Sequence, residues 1–232
     1  MTAQATGRID VRVVTYNVRG FRDGMGRVAA VVGELAPDVL LLQETGSRRA
    51  LRRFASDLHF AVARDPRSPL RRRAKDAVLV ALPWRLAGDR QVRFSRSARW
   101  YPRGALVAEI RHGAAAMHAM SVHLGLGGDE RGVQAREVCA LVEALGGPVV
   151  VGGDLNATPD RRAPARIASV LRDAWSEAGE GEGPTFPALA PTSRIDYVFV
   201  GGPVQIRAVS VGTGGATAAS DHLPVVADLS IG

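Results

Sequence analysis

The chain holds one cysteine, Cys139, in 232 residues. Neither an internal disulfide nor a cysteine-based metal centre can therefore form. Long apolar runs are missing too. The longest, Ala77–Trp84, falls far short of the roughly 20 residues that span a bilayer as a helix. The opening stretch, Met1–Gly7, lacks the charged and apolar regions of a secretion signal, so the expected compartment is the cytoplasm. Absent also are a P-loop, a His-Glu-x-x-His helix and a serine in a nucleophile-elbow setting. Those absences argue against phosphate-loop, zinc-protease and acyl-transfer chemistry. Lysine is nearly absent: Lys75 stands alone among 30 basic residues. That skew toward arginine, beside abundant Ala, Gly and Val, points to coding bias and discounts part of the positive charge.

What remains is 46% hydrophobic, enough for one sizeable core. No linker or internal repeat divides the chain, so a single domain is expected over 10–232, after a disordered tail at 1–9. The charge is uneven. Between Arg48 and Arg111 stand 17 basic and 5 acidic residues, whereas the rest is net acidic within an overall +7. A basic segment of that size attracts polyanions such as nucleic acid or anionic lipid. Its stretch Arg64–Lys75, with two prolines and Arg71–Arg72–Arg73, reads as an exposed loop.

Val149–Val150–Val151 reads as a buried strand. Gly152 and Gly153 read as its break, and Asp154 and Asn156 follow two residues apart, on one face of an extended chain. By itself that pair is equally a turn ahead of Pro159. The pattern recurs, however. The strand Val11–Tyr16 stops at Asn17, Val39–Leu42 at Gln43–Glu44, and Ala115–Val122 at His123. Asp196 stands just before the strand Tyr197–Val200, and Asp221–His222 before Val225–Leu229. Further strands are expected at Ala77–Leu82, Arg90–Phe94, Ala105–Ile110 and Val204–Val211. Helices are expected at Arg27–Leu35, from a Ser47 cap to Leu58, and over Asp129–Leu145, which encloses Cys139 as an inert residue. In an α/β sandwich the strand ends on one edge converge, so these side chains line a single cleft.

The cleft's contents limit its chemistry. Carboxylates and carboxamides without cysteine suit a hard cation such as Mg²⁺, which takes oxygen ligands. Glu44, isolated at the end of an apolar strand, is the foremost ligand candidate. His123 and His222 can transfer protons near neutral pH. Asp196 is placed to orient His222; alternatively it merely pairs with Arg194. Ser220, Asp221 and His222 are triad residue types, but consecutive residues point apart and cannot form a relay. His59, His112 and His118 receive no role.

Taken in order, the motifs Thr15–Tyr16–Asn17, Gln43–Glu44, Ser121–Val122–His123–Leu124, Gly153–Asp154–Leu155–Asn156, Arg194–Ile195–Asp196–Tyr197 and Ser220–Asp221–His222–Leu223–Pro224–Val225 resemble the endonuclease/exonuclease/phosphatase superfamily. That superfamily includes deoxyribonuclease I, abasic-site endonucleases, neutral sphingomyelinases and inositol-polyphosphate phosphatases. The resemblance implies a four-layer α/β/β/α sandwich of two mixed sheets between helices, with a divalent metal in the cleft. It implies Mg²⁺ on Glu44, with Asn17 and Asp221 close by. Asn156 and His123 would hold the scissile phosphate. Asp154 would orient or deprotonate the attacking water, or protonate the leaving group, and His222 paired with Asp196 would stabilise the phosphate or share the proton transfer. One position departs: abasic-site endonucleases carry an acid two residues after the first-strand asparagine, where this chain has Arg19. Arg19 and Arg103 become candidate phosphate contacts.

The expectation is a Mg²⁺-dependent phosphoesterase, with Mn²⁺ as a substitute, that cleaves a phosphodiester by direct attack of water. Nucleic acid is the first substrate choice. A lipid headgroup or a small phosphorylated metabolite is the alternative, and a non-catalytic binding module on the same fold is the alternative from another class. No obligate protein partner is evident.

Overall fold

The computed structural model describes residues 8–63 and 73–232. In chain order they form β1 (Ile9–Asn17), α1 (Met25–Leu35), β2 (Val39–Gln43), α2 (Arg48–Asp57), β3 (Ala61–Val62), β4 (Ala77–Val80), β5 (Arg85–Arg93), β6 (Gly104–His112), β7 (Ala115–His123), α3 (Gly128–Leu145), β8 (Val149–Asp154), α4 (Arg162–Ala168), β9 (Arg172–Asp173), α5 (Ala174–Ala178), β10 (Asp196–Gly201), β11 (Val204–Val211) and β12 (Val225–Ile231). Short 3-10 turns lie at Arg19–Phe21 and Gly214–Ala218. Among the described residues no helix is long and apolar enough to cross a membrane.

The strands make two six-stranded sheets, ordered β11-β12-β1-β2-β4-β3 and β5-β6-β7-β8-β10-β9. Each has one parallel pair near its centre, β1 with β2 and β7 with β8, flanked by antiparallel neighbours. Parallel neighbours need a crossover, and α1 and α3 provide them.

Alternation along the strands builds the layers. Val11 and Val13 of β1, with Val39 and Leu41 of β2, face Leu106, Ala119, Val150 and Val198 of the second sheet. Val14, Tyr16, Leu40 and Leu42 face the opposite way, onto Val28, Val31 and Val32 of α1 and Leu51 and Phe54 of α2. On the far side, Met120, Val122, Val151 and Phe199 pack on Val138 and Cys139 of α3 and Ile167 of α4. The result is the expected four-layer sandwich of two mixed sheets between helices. Each fully buried Val or Leu contributes about 1.5–3 kcal/mol. Local signals agree with these layers. Ser47 caps α2 by accepting from the Ala50 amide at 3.1 Å, and Asp129 and Glu130 occupy the positive first turn of α3.

Several expectations need correction. Gly152 and Gly153 do not break the strand but lie inside β8. A Cβ on Gly152 would sit 2.7 Å from Leu41 Cδ1 and 3.0 Å from Thr15 Cβ of the other sheet, so the glycine marks close approach of the sheets. β5 begins at Arg85, not Arg90; as an edge strand its five extra residues carry polar groups and lack an apolar signal. Pro164 sits in the first turn of α4, where its missing amide hydrogen costs nothing. Of the tail expected at 1–9, residues 1–7 lie outside the described residues, and Ile9 already opens β1. The larger part of the loop expected at Arg64–Lys75, residues 64–72, also lies outside them.

Candidate active site

The site stands where both parallel pairs end. Asn17 lies opposite Gln43 in the first sheet, and His123 opposite Asp154 in the second, with Asp196 on Asp154's other side. Strand parity sends Thr15 and Asn17, Gln43, Ser121 and His123, and Asp154 into the space between the sheets, beyond the last apolar rung. There the filling changes in steps. Buried Gln43 donates to Thr15 Oγ1 at 3.2 Å and to Ser121 Oγ at 3.0 Å, and Ser121 donates to the Leu42 carbonyl at 2.9 Å. One rung further the ionisable groups begin.

Asp154 is the hub, and its carboxylate is ringed by donors. Oδ2 accepts from Asn17 Nδ2 at 3.0 Å and lies 3.3 Å from His123 Nε2 and 3.7 Å from His222 Nε2. Oδ1 accepts from the Asn156 amide at 2.8 Å. Burial alone would raise this carboxyl, but His123, His222 and the Asn156 amide hold it well below the ordinary carboxylate range. It is therefore an anion, and an acceptor only.

His222 bridges two acids. Its Nδ1 donates to Asp196 Oδ2 at 2.9 Å, and Thr185 Oγ1 donates to the same oxygen at 2.6 Å. Burial works against a charged imidazole, yet Asp196, Asp154 and Asp221 outweigh it and raise His222 from 6.5 to about 10. Burial pushes the Asp196 carboxyl up, with His222 pulling it the other way. The pair thus keeps its proton through the neutral range. The Phe186 ring, 4.9 Å from the imidazole, closes its outer side. Arg194 does not pair with Asp196: its guanidinium is taken by Asp173 at 2.8 Å and by the face of Tyr197 at 4.5 Å.

His123 meets the cleft through Arg103, whose Nη1 lies 2.7 Å from the ring nitrogens. Asn156 Nδ2 donates to the Leu124 carbonyl at 2.9 Å and lies 3.1 Å from His123 Nε2. Arg19 is held between Asp221 at 3.2 Å and Asp23 at 3.4 Å, so the carboxylate of Asp221 is turned to Arg19.

Glu44 differs from the others. It is half-buried, has a φ of +54°, and lines the cleft without a hydrogen bond or ion pair to its carboxylate among the described residues. Six non-glycine residues there take left-handed backbone: Ala36 and His59 follow helix ends, whereas Arg19, Phe21, Glu44 and Asn156 flank this site. Such backbone costs on the order of 1 kcal/mol each and gathers at functional sites. The cleft has a volume of about 740 Å³ and is lined by Arg19, Arg22, Arg73, Lys75 and Arg103 against Glu44 and Asp76, a cationic balance.

Two sets of groups are candidates for a metal. Asp154, Asp196 and His222 offer ligand atoms within 4.8 Å of one another, but these atoms already satisfy each other. Glu44 offers carboxylate oxygens to the cleft, which suit a hard divalent ion, whereas Asn17 Oδ1 already accepts from the Arg19 amide at 3.0 Å and its Nδ2 is held by Asp154.

Sequence reasoning anticipated Asn17, Glu44, His123, Asp154, Asn156, Asp196 and His222 at one edge, with Arg19 and Arg103 as phosphate contacts and Asp221 near the metal, whereas the structure turns Asp221 to Arg19. It missed Thr185, a buried hydroxyl in a Gly- and Pro-rich stretch where nothing marks it. It also missed the cleft-lining Trp100 and Tyr101, whose signal was two adjacent aromatics in a chain with few.

The endonuclease/exonuclease/phosphatase family model matches residues 14–222. The uncharacterized protein YbhP of Escherichia coli K12 is 29% identical over 119 residues, 50% of this chain and 47% of that protein. The chain thus spans about half the length of the curated relatives it matches. Among solved structures, the endonuclease/exonuclease/phosphatase of Bacteroides vulgatus superposes with a TM-score of 0.80 at 18% identity, covering 97% of this chain and 100% of that one. The endonuclease/exonuclease/phosphatase of Beutenbergia cavernae gives 0.75 at 25%, covering 96% and 72%. D. rerio TDP2 complexed with single strand DNA product gives 0.78 at 16%, covering 95% and 98%. With the motif order, the paired sheets and the buried acid–histidine network in agreement, the chain belongs to the endonuclease/exonuclease/phosphatase family.

Proposed function

We propose that the chain hydrolyses a phosphodiester of nucleic acid with Mg²⁺. The observation that carries this reading is the ring of donors around Asp154, which prepares one ionised carboxylate beside one protonated imidazole. A divalent ion held by Glu44 with Asn17 would neutralise charge developing on the phosphoryl oxygens. Asp154 orients the attacking water and accepts its proton, because it enters the reaction ionised. His222, charged and held by Asp196, faces the phosphate as a cation and gives its proton to the leaving oxygen. Asn156 and His123 hold the non-bridging oxygens. Arg103 and Arg19 add positive charge at the rim, and the cationic lining favours a polyanion over a neutral headgroup.

The test is an activity panel. A generic phosphodiester, plasmid DNA, RNA, phospholipid vesicles and sugar phosphates are each incubated with Mg²⁺ or Mn²⁺ and with chelator. Chelator-sensitive cleavage of the generic diester and of a nucleic acid is expected. Cleavage of lipid or sugar phosphate alone moves the substrate to the alternative class. No cleavage of any substrate overturns the reading.

A further inference from the structure

The turn that follows β1 is built around one cation. Arg19, Gly20 and Phe21 take left-handed backbone in succession, at φ of +46°, +68° and +59°, and the turn is fastened at each of them. The Arg19 amide donates to Asn17 Oδ1 at 3.0 Å. The Gly20 amide donates to the Glu44 carbonyl at 2.7 Å. Buried Phe21 packs on Phe54 of α2, with ring centres 5.1 Å apart. So held, Arg19 lines the cleft together with Glu44, and its guanidinium stands between two carboxylates. Nε lies 3.2 Å from Asp221 Oδ2, and Nη1 lies 3.4 Å from both oxygens of Asp23. The backbone beside Asp221 is fixed as well. Ser220 Oγ donates to the Asn17 carbonyl at 2.7 Å, and the Ala188 amide donates to the Asp221 carbonyl at 2.8 Å.

Carboxylate oxygens are what a hard divalent ion takes as ligands. In-line displacement at phosphorus can use two such ions, one for the attacking oxygen and one for the leaving oxygen. Here the corner with the two carboxylates already holds a positive charge. Arginine stays protonated at every working pH, and its planar fork matches carboxylate and phosphate alike. A divalent ion entering this corner would meet a like charge and carboxylates already in use. Asp76, also on the cleft wall, is buried and has interactions of its own. Glu44, by contrast, carries no cation among the described residues.

We propose that Arg19 stands in for a second divalent ion: the cleft takes one metal, and Arg19 supplies the other positive charge facing the phosphate. This rests on the hydrolase reading for the phosphate and on Glu44 for the first ion, but its test counts ions and needs no turnover. The full chain is titrated with Mn²⁺ alone, and unbound Mn²⁺ is followed by electron paramagnetic resonance. The wild type is expected to bind one ion. Arg19→Asn should bind two, because asparagine tolerates left-handed backbone and uncovers Asp221 and Asp23. Arg19→Lys, which keeps the charge, should stay at one, and Arg19→Asn/Asp221→Asn should return to one. Two ions on the wild type, or no gain in Arg19→Asn, overturns the proposal. So does a gain that survives the added Asp221→Asn change, which puts the new ion elsewhere. Glu44→Gln, titrated alongside, should lose the ion that the wild type binds. A count unchanged by that substitution fails the Glu44 reading, while the gain in Arg19→Asn still reports on Arg19, so either can fail without the other.

Discussion

The two sheets are built alike and furnished differently. Each centres on a parallel pair whose strands run out of apolar residues at the same edge. The second sheet ends in His123, Asp154 and Asp196, which with His222 are buried and bonded to one another. The first ends in Asn17 and Glu44, and the Glu44 carboxylate, on left-handed backbone and lining the cleft, has no partner among the described residues. A closed charge network holds its geometry and its protonation before substrate arrives. The difference teaches that one sheet ends in a self-satisfied charge network and the other in a carboxylate that lines the cleft.

The comparison can be broken from either side. The largest effect is expected in the closed half. Asp154→Asn places an amide where four donors converge, and His222→Gln removes the cation. Each should lower turnover of a phosphodiester by about 10²–10⁴-fold, measured at saturating metal, with the circular dichroism spectrum checking that the fold survives. In the open half, Glu44→Gln should raise the Mg²⁺ concentration for half-maximal activity by about 10–100-fold and leave thermal stability within about 0.5 kcal/mol. A metal titration of activity beside a melting curve checks both. A Glu44→Gln enzyme with the wild-type metal requirement removes Glu44 from the metal site.

Where the halves meet, Gly152→Ala should destabilise by about 1–3 kcal/mol, because the methyl group enters the space of Leu41 and Thr15. Chemical denaturation measures it. The last effect is on pH dependence, in metal-free protein. His222 is raised in the folded state, so its contribution to stability is full below its ordinary value of 6.5 and is lost as pH rises through about 10. Asp154 is lowered, so its contribution is present above the ordinary carboxylate value and is lost as pH falls below it. The stability gap between the wild type and His222→Gln should therefore narrow between about pH 6.5 and 10, in denaturation curves taken across that range.

Much of the site was legible because a buried strand that stops at a carboxylate is locally inconsistent unless the carboxylate has work elsewhere. Asn17, Glu44, His123 and Asp154 announce themselves in this way, and the β1, β2, β7 and β8 runs set the sheets. What escaped has no such contrast. β3 and β9 are two residues long and exist only through their neighbours' hydrogen bonds. Thr185 matters because the chain folds back to lay one hydroxyl on Asp196, a tertiary event without a local pattern. Gly152 was visible, but its meaning was inverted: adjacent glycines signal a turn until the opposite sheet is known to be in contact.

The buried rung of Gln43, Thr15 and Ser121 has a mechanical consequence. Apolar faces pressed together resist separation but not sliding, since one methyl is much like the next. The hydrogen bond from Gln43 to Ser121 crosses from β2 to β7 one rung behind His123 and Asp154, and a directional bond has a single seat. It acts as a locating pin between two plates. The spacing between the carboxylate of one sheet and the charge network of the other is thus indexed by a fully buried carboxamide.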